Sequence, residues 1–148
     1  MKILITGTAG FIGFHLANKL IARGDEVVGL DCINDYYDPN VKYGRLGYAG
    51  IDQKDIEYNK LTQSSKTANY RFIKLQLEDK ENLDSLFELE RFDAVCNLAA
   101  QAGVRYSIEN PMAYINANII GFINILESCR HHGVENLSYA SSSSVYGL

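Results

Sequence analysis

The sequence predicts an α/β fold of the doubly wound, Rossmann type, and three observations carry that expectation. Short apolar runs alternate with helix-periodic stretches along the 148 residues, the pattern of βαβ units and a parallel sheet. A glycine-rich turn stands between the first apolar run and the first helical stretch, and an acidic residue closes the second run, the order that a dinucleotide-type fold requires.

Taken in chain order, Ile3-Leu4-Ile5 reads as a buried first strand. From Phe11 to about Arg23, residues Ile12, Leu16 and Leu20 recur at i, i+4 and i+8 and mark one face of a helix, which Gly24-Asp25 breaks. Glu26 to Asp31, with Val27, Val28 and Leu30, is the second strand. Arg71 to Leu77 is the third, and a helix from about Lys80 to Leu89 follows with Leu83, Leu86 and Phe87 on its apolar side. Ala94 to Leu98 is the fourth strand. Pro111 opens a long helix to about His131, because proline in a first turn gives up no helical hydrogen bond. Gly133 ends it, and Leu137 to Ala140 runs as a fifth strand into a serine-rich turn. Residues 32 to about 69 form a connection unusually long for a compact domain. Within it a helix fits Asn40 to Tyr48, and Asp52 to Lys66 reads as solvated. The expected sheet is parallel, ordered third, second, first, fourth, fifth.

Composition narrows the function classes. Apolar residues at 47% and charged residues at 22% are ordinary for a globular protein, and a net charge of -4 argues against a nucleic-acid partner. Cys32, Cys96 and Cys129 are odd in number and far apart, and no Cys/His cluster exists, so neither a disulfide framework nor a metal site is expected. His15, His131 and His132 have no ligand partners in the sequence. No leader-like segment and no apolar run of roughly 18 residues is present, so the expectation is a cytoplasmic protein without membrane contact.

The informative segment is Thr6-Gly7-Thr8-Ala9-Gly10-Phe11-Ile12-Gly13. Its GxxGxxG spacing is one residue wider at the start than GxGxxG but serves the same needs: a tight turn, close backbone approach to a pyrophosphate, and a bare helix–strand contact. The helix beginning near Phe11 points unpaired N–H groups and its positive dipole end at that phosphate. A glycine-rich turn of any α/β protein is the plainer reading, and the strand before and helix after favour the dinucleotide. Asp31 lies near the expected spacing of about 20 residues, where a carboxylate accepts from the ribose hydroxyls and repels a 2′-phosphate. NAD is therefore expected over NADP, against the alternative that Asp31 merely caps a turn.

These residues, with Asn97-Leu98-Ala99-Ala100-Gln101-Ala102-Gly103-Val104-Arg105-Tyr106-Ser107 and Ser141-Ser142-Ser143-Ser144-Val145-Tyr146-Gly147, resemble the extended short-chain dehydrogenase/reductase family. Within it the chain is most similar to nucleotide-sugar 4-epimerases of the UDP-glucuronate type. The resemblance implies that Gly7, Gly10, Phe11, Ile12 and Gly13 line the pyrophosphate and that Asp31 holds the adenosine ribose. It places Leu98, Ala99 and Ala100 under the cofactor as a floor of mostly small residues, and Asn34, Gln76, Leu77 and Asn118 beside it. Asn118 read without the family would be a helix-surface amide. Cys32 stands where an asparagine is common, and Gln76 where an aspartate often meets the adenine amino group.

The resemblance further implies epimerisation at C4 through a transient 4-keto sugar, with NAD as cofactor and polysaccharide biosynthesis as setting. Ser142 is the matching hydroxyl at the reacting oxygen. The tyrosine and lysine of the family's Tyr-xxx-Lys pair are not found: Tyr70 and Lys74 have the spacing but fall on the third strand, too far apart to act together. Residues 1–148 are thus expected to be the NAD-binding part, with the substrate domain absent and the chain inactive alone. Ser143 and Ser144 occupy positions where sugar 4,6-dehydratases carry Asp and Glu. Hydroxyls cannot replace carboxylates as general acid and base, so these serines point to substrate binding and away from dehydration. Arg105 is expected on a sugar carboxylate or pyrophosphate, unless it pairs with Glu109. Other readings are a UDP-glucose 4-epimerase, another nucleotide-sugar enzyme of the superfamily, or a non-catalytic NAD sensor. A homodimer through the helix at about 111–131 is a further expectation.

Overall fold

A computed structural model describes residues 1–147. Six strands form one sheet in the order β3-β4-β2-β1-β5-β6. They are β1 (Lys2–Thr6), β2 (Glu26–Asp31), β3 (Leu61–Gln63), β4 (Tyr70–Lys74), β5 (Ala94–Asn97) and β6 (Asn136–Tyr139). The helices are α1 (Phe11–Arg23), α2 (Pro39–Tyr48), α3 (Lys80–Glu90), α4 (Val104–Glu109), α5 (Pro111–Tyr114) and α6 (Gly121–His131), with a π-helical turn, Ile115–Ile120, between the last two.

The period-2 alternation of a strand explains why the sheet is wrapped on both faces. Ile3 and Ile5 of β1 pack with Val27, Phe72, Ala17 and Leu46 in one core layer under α1 and α2. Leu4, between them, joins Val28, Ile73, Leu83, Phe87 and Ile125 in the other layer, under α3 and α6. β1 pairs in parallel with β2 on one side and β5 on the other, so the strand order reverses direction there. At the starts of the strands, far from the glycine turn, Glu90 is buried and accepts from Lys2 Nζ at 3.2 Å and from Arg71 at 2.7 and 2.6 Å.

The five strands read from the sequence occupy the expected order, and three details differ. First, β3 lies inside the stretch expected to be solvated and pairs antiparallel to β4, Leu61 opposite Ile73. Three residues are too few for an alternation signal, and a short edge strand is a common way to end a sheet. Second, β4 stops at Lys74, although Leu75 and Leu77 stay buried; the apolar pattern there reports core contact and not ladder pairing. Third, the long helix is interrupted by the π-helical turn, and α4 precedes it without apolar periodicity to announce it. Gly121 starts α6 where a Cβ would meet Leu77 Cβ at 2.7 Å, which brings this helix tightly against the segment after β4.

Candidate functional site

A cleft of about 300 Å³ opens at the C-terminal ends of the strands, beside the point of strand-order reversal where open α/β sheets bind ligands. Its walls are the turn with Gly7 and Gly10, the end of β2 and the residues after it including Asp31 and Asn34, Lys42 of α2, Leu75–Glu78 after β4, Leu98–Ala102 after β5, and Ala113, Asn116 and Ala117 of the later helical run.

The turn is held by backbone geometry that only glycine allows. Gly7 has φ +74°, and a Cβ on it would sit 3.0 Å from the Ala99 amide nitrogen. A Cβ on Gly13 would lie 2.2 Å from the Gly7 carbonyl oxygen, so α1 could not seat against the turn. Gly10 N–H donates to that same Gly7 oxygen at 3.0 Å, and the first i→i−4 bond of α1 is Phe14 N–H to Gly10 O at 3.1 Å. The amides of Phe11, Ile12 and Gly13 precede it and have no intrahelical acceptor. Gly10 supplies no side-chain cap, and no acidic residue stands in the first turn. The end of α1 is thus a set of donors without a built-in anion. The Phe11 and Ile12 side chains are exposed; of this turn Gly7 and Gly10 line the cleft, and Phe11, Ile12 and Gly13 do not.

Asp31, nearly buried at the end of β2, organises the neighbouring loop. Its Oδ2 accepts from Ala9 N–H at 3.1 Å, and its Oδ1 accepts from Ile33 N–H at 2.8 Å and Lys42 Nζ at 3.2 Å. Ile33 sits at φ +51°, a strained conformation for a β-branched residue that the bond to Asp31 helps fix. Burial, followed by the Asp31 charge, pushes the Cys32 thiol up, so at neutral pH it is a wall of the cleft and not a thiolate. Two residues of α2, one turn apart, reach this region. Lys42 joins Asp31 to Asn34 Oδ1 at 3.1 Å, and Arg45 donates to the Ala9 carbonyl at 3.0 Å. Ala9 is thereby fixed on both its peptide groups.

The floor is tied to β1 through Thr6, whose buried hydroxyl accepts from Leu98 N–H at 3.1 Å and Ala99 N–H at 3.0 Å and donates to Asn97 at 2.7 Å. Leu98, Ala99 and Ala100 line the cleft. Asn118, on the π-helical turn, donates to Gln101 O at 2.9 Å and accepts from Gln101 N–H at 2.7 Å. Its amide is committed to the backbone at the end of the floor, and Asn116 and Ala117 are the residues of that turn facing the cleft. Gln101 in turn accepts from Asn34 at 3.4 Å.

The remaining sequence-predicted residues are more scattered. Asn34, Gln76 and Leu77 line the cleft, Gln76 exposed and Leu77 buried in the core. Arg105 is exposed on α4, and among the described residues it forms no ion pair with Glu109. Ser142 follows β6, is exposed, and accepts from Val145 N–H through its carbonyl at 3.2 Å. The side chains of Ser143 and Ser144 lie outside the described residues. Tyr70, by contrast, is almost fully buried and hydrogen-bonded with Thr8, and burial raises its phenol far above the ordinary range; it is a core residue. Sequence reasoning missed Lys42, Arg45, Thr6 and Gln101. The i, i+3 spacing of Lys42 and Arg45 places them on one helix face, but nothing in the sequence tied that helix to the glycine turn. Among the described residues no group of three or more His, Cys, Asp or Glu gathers as metal ligands, and no helix is long and apolar enough to cross a membrane.

Comparison with known proteins gives a consistent picture. The family model described as GDP-mannose 4,6 dehydratase matches residues 4–148. The chain is 54% identical to Protein CapI of Staphylococcus aureus, over 99% of this chain and 39% of that protein. It is 42% identical to UDP-glucuronate 4-epimerase 4 of Arabidopsis thaliana, over 100% of this chain and 30% of the relative. A solved UDP-glucose 4-epimerase of Stenotrophomonas maltophila, with bound NAD and formylated UDP-arabinopyranose, superposes with a TM-score of 0.75 at 31% identity, over 99% of this chain and 38% of that one. The chain therefore spans less than two-fifths of the length of each of these proteins.

Proposed function

The chain belongs to the GDP-mannose 4,6-dehydratase family of extended short-chain dehydrogenase/reductases, and from that premise we propose that it is the NAD-binding part of a nucleotide-sugar 4-epimerase acting on UDP-glucuronate. The observation that carries the cofactor assignment is the glycine turn: a cradle in which a Cβ at Gly13 would strike the Gly7 carbonyl at 2.2 Å, facing an uncapped helix end. An anionic diphosphate supplies the charge that this end lacks. Gly7, Gly10 and the amides of Phe11, Ile12 and Gly13 hold it, and Asp31 with Asn34 takes the adenosine ribose. Leu98–Ala100 form the floor, Asn118 fixes that floor through Gln101, and Gln76 and Leu77 border the adenine end. When bound, NAD supplies a reversible hydride acceptor.

The uronate assignment rests on likeness to the UDP-glucuronate 4-epimerases along the whole chain and on the guanidinium of Arg105, which forms no ion pair among the described residues and matches a carboxylate in charge and shape. Ser142 aligns the reacting hydroxyl, and Ser143 and Ser144 give the sugar hydrogen-bonding partners without the acid and base that dehydration needs. The tyrosine and lysine that move the C4 proton belong to a part of the enzyme outside these residues, so the 148-residue chain binds nucleotide without turnover. The complete enzyme is cytoplasmic, serves polysaccharide synthesis, and pairs with a second copy through the exposed side of residues 111–131.

The test is to incubate the complete protein and NAD with UDP-glucuronate and with UDP-glucose and follow the C4 configuration by NMR. Formation of UDP-galacturonate supports the reading. Turnover of UDP-glucose alone replaces the uronate with a neutral sugar, and NAD binding without turnover of either substrate favours a sensing module.

A further inference from the structure

The salt bridge between Lys42 and Asp31 has unused valence on both sides. Lys42 is only 12% exposed and Asp31 6%, so both were largely withdrawn from water to face the cleft, which Lys42 and Asp31 both line. An ammonium has three donors. Lys42 spends one on Asp31 Oδ1 and one on Asn34 Oδ1, and among the described residues the third meets no protein acceptor. A carboxylate offers about four acceptor sites. Asp31 Oδ1 has both filled, by Ile33 and Lys42, whereas among the described residues Oδ2 accepts only from Ala9. The pair thus presents one donor and one acceptor side by side. A vicinal diol needs that combination: one hydroxyl donates, and the oxygen of the other accepts.

We propose that Lys42 is a second ribose-binding residue that shares the adenosine diol with Asp31 and sets how strongly the site discriminates between NAD and NADP. This rests on the cleft being the NAD site. The insertion carrying α2 then has a binding purpose: it delivers a cation that offsets the Asp31 charge, so a 2′-phosphate is repelled less than a lone carboxylate would repel it. Arg45, one turn further on, holds the Ala9 carbonyl and keeps the same helix face docked against the turn.

The test is calorimetric binding of NAD and NADP to the complete protein freed of nucleotide. Lys42→Met should weaken NAD about tenfold, the worth of one charge-assisted hydrogen bond, and should weaken NADP by at least another factor of about ten, raising the NADP/NAD ratio of Kd values. Lys42→Arg, which keeps the cation, should leave that ratio within about threefold of the wild type. In an Asp31→Asn background the unopposed Lys42 should tighten NADP about tenfold or more, and adding Lys42→Met should erase the gain. An unchanged Kd for NAD in Lys42→Met, or equal weakening of both nucleotides as from a loosened loop, would overturn the proposal while leaving the NAD site standing. A wild type that takes up neither nucleotide would overturn both.

Discussion

The two flanks of β1 are finished to different degrees. Toward β2, α1 and α2 close over Ile3, Val27 and Phe72, and the charged groups near the cleft, Asp31, Lys42 and Arg45, each have a protein partner. Toward β6, the outer side of the helical run from Pro111 to His131 carries Met112, Ile119 and Ile123, each more than half exposed, and Tyr139 on β6 is 56% exposed. Exposed apolar side chains repeated along one helical run are a candidate contact surface. The charged side of the cleft thus takes its geometry from contacts among these residues, whereas the helical run beyond β5 leaves a row of apolar side chains in solvent.

That contrast can be broken in a graded way. The largest effect is expected from Gly13→Val on the closed flank. Its Cβ meets backbone at 2.2 Å, so α1 must lift from the turn. We expect NAD binding to fall beyond about 100-fold and stability to drop by at least about 2 kcal/mol, the range for overpacking, read by calorimetry and thermal melting. Next is Glu90→Gln, far from the cleft. It puts an uncharged amide in place of the buried carboxylate while Glu26 still pairs with Arg71 and Lys2, and should cost about 2 kcal/mol, less than breaking a fully buried pair because both cations are partly exposed and keep one acid, with the Kd for NAD unchanged. Burial alone would raise the Glu90 carboxyl, but the hydrogen bonds and charges of Arg71 and Lys2 outweigh it and hold it below its ordinary value of 4.5. A depressed acid stabilises the fold above its unfolded pKa and ceases to do so as pH falls through the folded one. Acid melts of the wild type should therefore steepen below about pH 4.5, and less so in Glu90→Gln.

Asn118→Leu sits between the flanks. It removes both bonds to the Gln101 backbone and should cost about 1–3 kcal/mol, with NAD weakened several-fold through the loosened floor. The smallest effect on folding is expected on the open flank. Ile123→Ser in the 148-residue chain should change stability by no more than about 0.5 kcal/mol, yet in the complete protein it should shift sedimentation toward the monomer. A large loss of stability in the short chain would mean that Ile123 is already packed and that the flanks do not differ as described.

How far the sequence could be read follows the same division. Local chemistry is legible: Gly7, Gly10 and Gly13 announce the turn, Asp31 the end of β2, and Pro111 and Gly133 the outer limits of the interrupted helical run α5–α6. Contacts between distant segments are not. Thr6 reads only as the residue leading into the glycine turn until its hydroxyl is seen holding Leu98 and Ala99. Lys42 and Arg45 fall on the helix expected at Asn40 to Tyr48, but no rule of spacing says where a long connection folds back. β3 is too short to carry a pattern. Asn118 was reached only by family likeness, and the physical reason for an asparagine there, a two-way bond to one backbone residue, needs the π-helical turn that the sequence did not foretell.

The amides at the start of α1 are proposed to receive the cofactor's diphosphate. Titrating NAD into the ¹⁵N-labelled 148-residue chain tests it most directly. The amide resonances of Gly10, Phe11, Ile12 and Gly13 should shift most, those of Asp31 to Asn34 next, and those of Ile119 and Ile123 hardly at all. Saturable shifts centred on the α6 face, with the glycine-turn amides unmoved, would contradict the claim.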